Sequence, residues 1–175
     1  MKRILIFLIF SLAGFCLNAQ TLEGKRYRGY VDFIVSPGND GVYHDINSLG
    51  VGGITSHGYQ FNQHIFLGAG MGVQYYKFDY FTSGTAVPVF GNFRVNFTKT
   101  KISPYFDAKI GYSVVDIKGV FISPSLGVRF GIKNNVGINL QVGYSLQGYK
   151  YKGYYIIPEQ AYVHSVNISL GIDWK

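Results

Sequence analysis

One segment near the end of the chain decides the fold: YVHSVNISLGIDW, residues 162–174. Every second residue from Tyr162 to Trp174 is apolar or aromatic except His164, and the residues between them are small or polar except Val163. Because successive side chains of a β-strand point to opposite sides of its sheet, this alternation predicts a strand with one apolar and one polar face.

The same alternation recurs along the chain and predicts eight strands. They cover residues 26–35, 48–59, 65–76, 87–97, 105–114, 120–132, 137–147 and 162–174. The first two fit less well, because Ile34 and Ile54 fall on the polar side of their segments. No apolar run after residue 20 approaches the ~18 residues of a transmembrane helix, so we expect an all-β chain.

The composition agrees with one all-β domain. Of the 175 residues, 17% are aromatic and only 14% are charged, whereas about 25% of the residues in soluble domains are charged. The 23 glycines argue against a helical bundle, because glycine inside a helix costs about 1 kcal/mol relative to alanine.

The N-terminus has the layout of a secretory signal peptide. Lys2 and Arg3 form a short basic region, residues 4–17 are mostly apolar, and Ala19 offers a small residue for cleavage. The sequence therefore predicts a cleaved signal peptide over residues 1–19 and an exported barrel domain over residues 20–175.

The predicted mature chain contains no cysteine, because Cys16 is the only one and lies within the signal. Disulfides, thiol catalysis and cysteine-based zinc sites are thereby excluded. Without Lys2 and Arg3, 14 of the 16 basic residues remain against 9 acidic ones, a formal charge of +5. A basic surplus suits nucleic acid or anionic lipid. Because the chain is predicted to be exported, we expect lipid and no nucleic acid, and we expect no cofactor.

The two faces of the strands differ in a way that suits a membrane. The polar face is rich in Gly, Ser and Asn and poor in Lys and Glu, whereas the apolar face is unbroken over most strands. Small polar residues suit a narrow lumen, and apolar residues suit lipid. The sequence therefore predicts an eight-stranded antiparallel up-and-down transmembrane β-barrel. The alternative is a soluble lipocalin-like ligand-binding barrel with the faces reversed.

Aromatic residues on the apolar face are predicted to form two rings. One ring comprises Tyr75, Tyr112, Tyr144 and Tyr162, and the other comprises Phe97, Phe130 and Trp174. Aromatic rings at opposite ends of the strands are typical of the two interfaces of a bilayer.

The lengths of the connections predict an orientation. Residues 60–64, 98–103 and 133–136 form short turns, whereas the links 36–47, 77–86 and 148–161 are longer, although 115–119 is not. Short turns are typical of the periplasmic side of outer-membrane barrels. With an even number of strands, both termini are expected in the periplasm.

Eight charged residues are predicted to face the lumen. They are Arg26, Arg28, Asp32, Arg94, Asp107, Lys109, Arg129 and Asp173. An eight-stranded barrel has room only for its own side chains, and unpaired buried charges are costly. We therefore expect a paired network that plugs the lumen. The alternative is a narrow pore for small ions or solutes.

The last loop interleaves tyrosines and lysines at Tyr149, Lys150, Tyr151 and Lys152. Lysines at this position can reach the phosphates of lipopolysaccharide, while tyrosines sit at the headgroup level. The simpler interpretation is a strand end with an interfacial aromatic girdle.

No catalytic or metal site is expected. His164 and Ser165 are adjacent on one strand and point to opposite faces, so they cannot form a catalytic dyad. Asp40, His44 and Asp45 are interpreted as solvated loop residues. A lipid-modifying enzyme remains an alternative to a structural or surface-interaction role.

With these features in place, the chain resembles the small outer-membrane β-barrel family of Gram-negative bacteria, of the OmpA/OmpX kind. The segments PVFGNFRV (88–95) and SPYF (103–106) look like the Bacteroidetes branch of these barrels. The resemblance implies a monomeric outer-membrane protein. It also implies recognition of the last strand by the barrel assembly machinery, for which Ile172 and Trp174 match the expected pattern, while Gly171 and Lys175 depart from it.

Overall fold

The computed structural model describes residues 26–40, 47–79, 83–133, 135–149 and 161–175, so the predicted signal peptide lies outside the described residues. Every predicted strand is present. The strands are β1 (Arg26–Asp40), β2 (Asn47–Gln60), β3 (Ile65–Phe78), β4 (Gly84–Asn96), β5 (Ile102–Val115), β6 (Gly119–Lys133), β7 (Val136–Tyr149) and β8 (Ala161–Trp174).

The strands form one closed barrel in chain order, in which each strand pairs antiparallel with its neighbours. β1 pairs with β8 from Gly29–Trp174 to Asp40–Val163, and this seam closes the barrel. Closure leaves no sheet edge, so the backbone polar groups of the strands are satisfied within the barrel. The prediction of an eight-stranded antiparallel up-and-down barrel is confirmed.

No helix among the described residues is both long and apolar enough to cross a membrane.

Strand β8 shows how the alternation maps onto the barrel. Asp173 is completely buried in the interior, while Leu170 is 58% exposed on the outer wall. Among the described residues, buried polar and charged side chains outnumber buried hydrophobic ones. The polar face therefore lines the lumen and the apolar face forms the outer wall, as the sequence predicts.

The barrel has two distinct ends. The loop end carries the connections β1–β2, β3–β4, β5–β6 and β7–β8, and the turn end carries the other three connections with the start of β1 and the end of β8. The predicted contrast in connection length is partly wrong. The ladder between β3 and β4 continues to Tyr76–Gly84, so that link covers only residues 79–83. The β4–β5 turn at residues 97–101 has the same length.

Three prolines interrupt the ladders in the loop-end half of the barrel. Pairing in the β1–β8 seam runs to Val35–Ile168 and resumes at Gly38–Ser165, which skips Pro37. The β3–β4 pairing skips Pro88 and the β6–β7 pairing skips Pro124 in the same way. Proline has no amide hydrogen to donate, which accounts for the missing pairs at these three positions.

Candidate functional site

The lumen contains the described charged side chains that the sequence singles out, and the cluster nearest the turn end is centred on Asp173. Arg28 Nη2 lies 3.0 Å from Asp173 Oδ1. Arg129 donates to both carboxylate oxygens, with Nε 2.8 Å from Oδ2 and Nη2 3.0 Å from Oδ1. Asn139 Nδ2 donates to Oδ2 at 3.0 Å. The buried carboxylate of Asp173 therefore pairs with two guanidinium groups.

A second cluster, centred on Asp107, lies deeper in the lumen. Arg94 Nε donates to Asp107 Oδ2 at 2.7 Å, and Asn92 Nδ2 donates to the same oxygen at 3.0 Å. Lys109 forms an ion pair with Oδ1. Asp107 is completely buried and both of its cationic partners are nearly so. Again one buried carboxylate pairs with two buried cations.

Two tyrosines hold the guanidinium of Arg94 from both sides. Its Cζ lies 3.9 Å from the centre of the Tyr30 ring and 4.2 Å from the centre of the Tyr105 ring. Such cation–π contacts strengthen when they are desolvated. Arg94 Nη1 also donates to Asn139 Oδ1 at 3.3 Å, which connects the Asp107 cluster to the Asp173 cluster. Both clusters therefore belong to one network that crosses the lumen.

The remaining two predicted lumen charges differ from these six. Asp32 is buried, and its Oδ1 has no hydrogen-bond partner among the described residues. A Cβ on Gly171, its neighbour on β8, would lie 1.9 Å from this oxygen, so the glycine makes room for the carboxylate. Arg26 begins β1, and its side chain lies outside the description.

Towards the loop end, apolar side chains enter the lumen among buried polar ones such as Gln74 and Gln147. Ile34, Ile54, Phe90 and Phe121 form a buried cluster, with the two phenylalanine ring centres 5.8 Å apart. Each residue stands on the otherwise polar face of its strand. Sequence reasoning treats Ile34 and Ile54 as poor fits to the pattern. Sequence reasoning does not show that these four apolar residues, each on a different strand, come together at one height in the barrel.

A second apolar cluster lies nearer the loop end of the lumen. Tyr76, Ala86, Ile117 and Val163 are buried there. Val163 is the exception on the polar face of the segment that opened the sequence analysis. Phe78 and Tyr149 pack against this cluster. We refer to the two apolar clusters together as the lumen plug.

The structure places the predicted aromatic rings on the outer wall at the two ends. Tyr75, Tyr112 and Tyr144 are exposed near the loop end, where Tyr162 is half-buried. Tyr144 makes a hydrogen bond with the side chain of His164, which gives a polar partner to the one polar residue on that face of β8.

At the turn end, Phe97 and Phe130 are exposed and Trp174 is half-buried. The indole of Trp174 lies across Gly29, where a Cβ would approach it to 2.5 Å. Its ring centre is 6.0 Å from that of His57, which also bonds with the Tyr27 hydroxyl. The final aromatic residue therefore covers the turn end of the β1–β8 seam.

The last-loop and metal hypotheses fall largely outside the described residues. Lys150, Tyr151 and Lys152 are not described, and neither are His44 and Asp45. Within the described part of the chain, no group of His, Cys, Asp and Glu side chains could hold a metal ion.

The comparisons with known proteins bear on the fold. No family model and no curated protein matches the chain. Among solved structures, Neisserial surface protein A matches with a TM-score of 0.63 and 17% identity, covering 87% of this chain and 99% of its own. The chain has the fold of a small outer-membrane β-barrel. The outer membrane protein OprG from Pseudomonas aeruginosa also matches, with a TM-score of 0.54 and 10% identity over 86% of this chain and 95% of its own.

Proposed function

We propose that this protein is an integral barrel of the outer membrane of a Gram-negative bacterium, with a structural or surface-interaction role and a plugged lumen. The observation that carries the proposal is the reversal of the usual faces in a closed barrel. Apolar residues such as Ile110, 62% exposed, and Leu170, 58% exposed, form the outer wall, while charged residues are buried inside. Exposed apolar surface of this extent requires a lipid partner.

The lumen plug favours a closed barrel over a narrow pore. A conducted ion needs a continuous polar path, and the Phe90 and Phe121 rings and the Tyr76–Val163 cluster place apolar side chains in the lumen between the charged network and the loop end. Removing an ion from water into an apolar layer is costly. The charged network is thus interpreted as structural, stabilising the turn-end half of the lumen.

The proposed role is non-catalytic. Ser165 is buried on the lumen side of β8, whereas His164 is exposed on the outer wall, so the pair cannot share a proton. The described outer wall offers hydrogen-bonded Tyr–His pairs at both ends, which suit headgroup contact. Of the predicted last-loop contacts, Tyr149 instead packs against the lumen plug. We propose headgroup contact for Lys150, Tyr151 and Lys152, with the phosphates of lipopolysaccharide as the partner.

In the proposed orientation the turn end and both termini lie in the periplasm and the loop end faces outwards. The barrel closes on itself without a second copy, which supports a monomer. Recognition by the barrel assembly machinery rests on the apolar Ile172 and the aromatic Trp174 at the end of β8. The assignment to the Bacteroidetes branch rests on residues 88–95 and 103–106 alone.

Electrophoresis of membrane fractions tests this proposal. A closed barrel resists SDS until it is heated, since its backbone hydrogen bonds are internal. We expect the protein in the outer-membrane fraction, with unboiled and boiled samples migrating differently. A protein that stays in solution without detergent and shows no heat-dependent shift would favour the soluble barrel with a ligand inside.

A further inference from the structure

The turn end of the lumen opens into a polar cavity of about 290 Å³. Four cationic side chains line it, those of Arg28, Arg129, Lys99 and Lys175, together with neutral polar side chains that include Gln60 and Ser103. We call this cavity the basic vestibule. It lies at the opposite end of the barrel from the lumen plug.

The charges around the basic vestibule do not balance. Among the described residues, Asp173 is the acidic side chain that pairs with this lining, and it is shared between Arg28 and Arg129. One described carboxylate thus stands against the cations Arg28, Arg129 and Lys99. The deeper cluster of Arg94 and Lys109 on Asp107 is different, because all three side chains are buried. The cations that a ligand can reach are therefore those where the lumen meets solvent.

One donor of the vestibule lacks a partner. Arg28 is buried, and it donates through Nη1 to Gln60 at 2.8 Å and pairs through Nη2 with Asp173. Its Nε has no hydrogen-bond partner among the described residues. A buried guanidinium with an unused N–H costs free energy that a bound acceptor can recover.

The β4–β5 turn holds Lys99 at the cavity. Ser103 Oγ donates to the Thr98 carbonyl at 2.8 Å, and the hydroxyls of Thr98 and Thr100 lie 3.1 Å apart. Thr98, Thr100 and Ser103 also line the cavity. Lys101 belongs to the same turn and is exposed, but it does not line the cavity. The turn therefore supplies both a test residue and a matched control.

We propose that the basic vestibule binds a phosphate-bearing anion. Guanidinium groups match the geometry of phosphate oxygens, and the lysines add charge at the mouth. Two sources supply this chemistry: a soluble phosphate or phosphate ester, and the headgroup of an anionic phospholipid in the leaflet at the turn end. Either ligand would neutralise the charge surplus at the mouth.

Titration of the purified full chain with inorganic phosphate tests the first source. The protein is held in zwitterionic detergent, its folding is verified by the heat-dependent SDS shift, and binding is measured by NMR shifts of residues 97–103 at constant ionic strength. We expect saturable binding that Lys99→Gln weakens by roughly three- to tenfold, because one nearby cation is lost. Lys101→Gln should bind within twofold of the unchanged chain.

The second source is tested in nanodiscs of phosphatidylcholine with increasing phosphatidylglycerol. If the headgroup is the ligand, phosphatidylglycerol shifts the same resonances, Lys99→Gln weakens the effect and Lys101→Gln does not. Arg129→Lys is an independent variant, because it keeps the positive charge but loses the two parallel N–H donors of the guanidinium. It should weaken binding of whichever ligand, inorganic phosphate or phosphatidylglycerol, the unchanged chain binds.

Equal losses in Lys99→Gln and Lys101→Gln would indicate unspecific attraction and overturn the proposal. Absence of binding in both arms by a folded barrel would overturn it as well. Neither result would affect the proposed membrane location, which the SDS shift reports separately.

Discussion

Replacing Asp107 by Asn tests whether the lumen network stabilises the barrel. Asp107 contacts Arg94 at 2.7 Å and pairs with Lys109, and none of its surface is exposed. The substitution preserves shape and removes one negative charge. It leaves two buried cations without their carboxylate.

The expected loss is large because both cations lie away from water. Removing one partner of a buried ion pair costs about 3–5 kcal/mol. The amide can still accept one hydrogen bond from Arg94 or Asn92, so we expect the lower end, about 3 kcal/mol. With a urea dependence of about 2 kcal/mol per molar for a domain of this size, the unfolding midpoint falls by about 1.5 M.

Asp32→Asn is the matched control. It makes the same acid-to-amide change, and Asp32 is buried as deeply. No ion pair joins Asp32 to any described residue within 4.0 Å, and its Oδ1 has no hydrogen-bond partner there. We therefore expect its free energy of unfolding to stay within about 1 kcal/mol of the unchanged chain, because no direct contact is broken.

Urea unfolding in lipid vesicles provides the assay. The chain has a single tryptophan, Trp174, and it lies on the outer wall at the turn end. Its fluorescence should therefore change when the barrel leaves the bilayer. Equal effects of Asp107→Asn and Asp32→Asn, or a loss below 1 kcal/mol for Asp107→Asn, would refute the reasoning that direct pairing stabilises the lumen.

Three further predictions address the outer wall, the seam and the plug. Leu170→Arg should destabilise the barrel in vesicles by about 2–4 kcal/mol, measured by urea unfolding, because Leu170 faces the hydrocarbon. Leu170→Phe is the control and should change the free energy of unfolding little. If Leu170→Arg also had no effect, this wall would lie outside the bilayer. Gly171→Ala should lower the temperature of the SDS shift, costing about 1–3 kcal/mol, because the new methyl meets Asp32 Oδ1 and the Val31 carbonyl, the latter at 2.7 Å. Gly53→Ala is its control, since a Cβ there meets nothing closer than 3.8 Å, and equal effects would argue against crowding. In planar bilayers the unchanged barrel should show no stepwise conductance, whereas Phe90→Ala with Phe121→Ala should raise the frequency of openings; conductance of the unchanged barrel would contradict the plug.

Local sequence carries the information about strands and faces. Side-chain direction in a strand alternates with a period of exactly two residues, so the polarity of neighbours in the chain suffices to place Leu170 on one wall and Asp173 on the other. The number of strands and the two aromatic ends follow from the same local rule. Connection lengths are harder, because where a ladder ends depends on the neighbouring strand: Gly84 pairs with Tyr76 although it precedes the predicted start of its strand at residue 87.

Contacts inside the lumen cannot be predicted from local sequence, because closure of the barrel brings together strands that are distant in the chain. Arg129 donates hydrogen bonds to Asp173, which lies 44 positions away in the sequence, and Arg94 donates one to Asn139, which lies 45 positions away. The sequence predicts that the charged side chains face inwards. Only the register of the eight strands determines that Asp107 and Asp173 each pair with two cations. The same register gathers Lys99, Arg28 and Arg129 around one cavity, which no pattern within a single strand indicates.

The exceptions to the alternation are explained only when the sequence pattern is combined with the tertiary structure. Ile34 and Val163 look like errors in a polar face when each strand is taken alone. In the barrel they lie in the two apolar clusters of the lumen plug. Alternation is a property of the backbone and is therefore visible in the chain by itself. The plug, the pairing of charges and the basic vestibule depend on distances between strands, and those distances exist only once the barrel has closed.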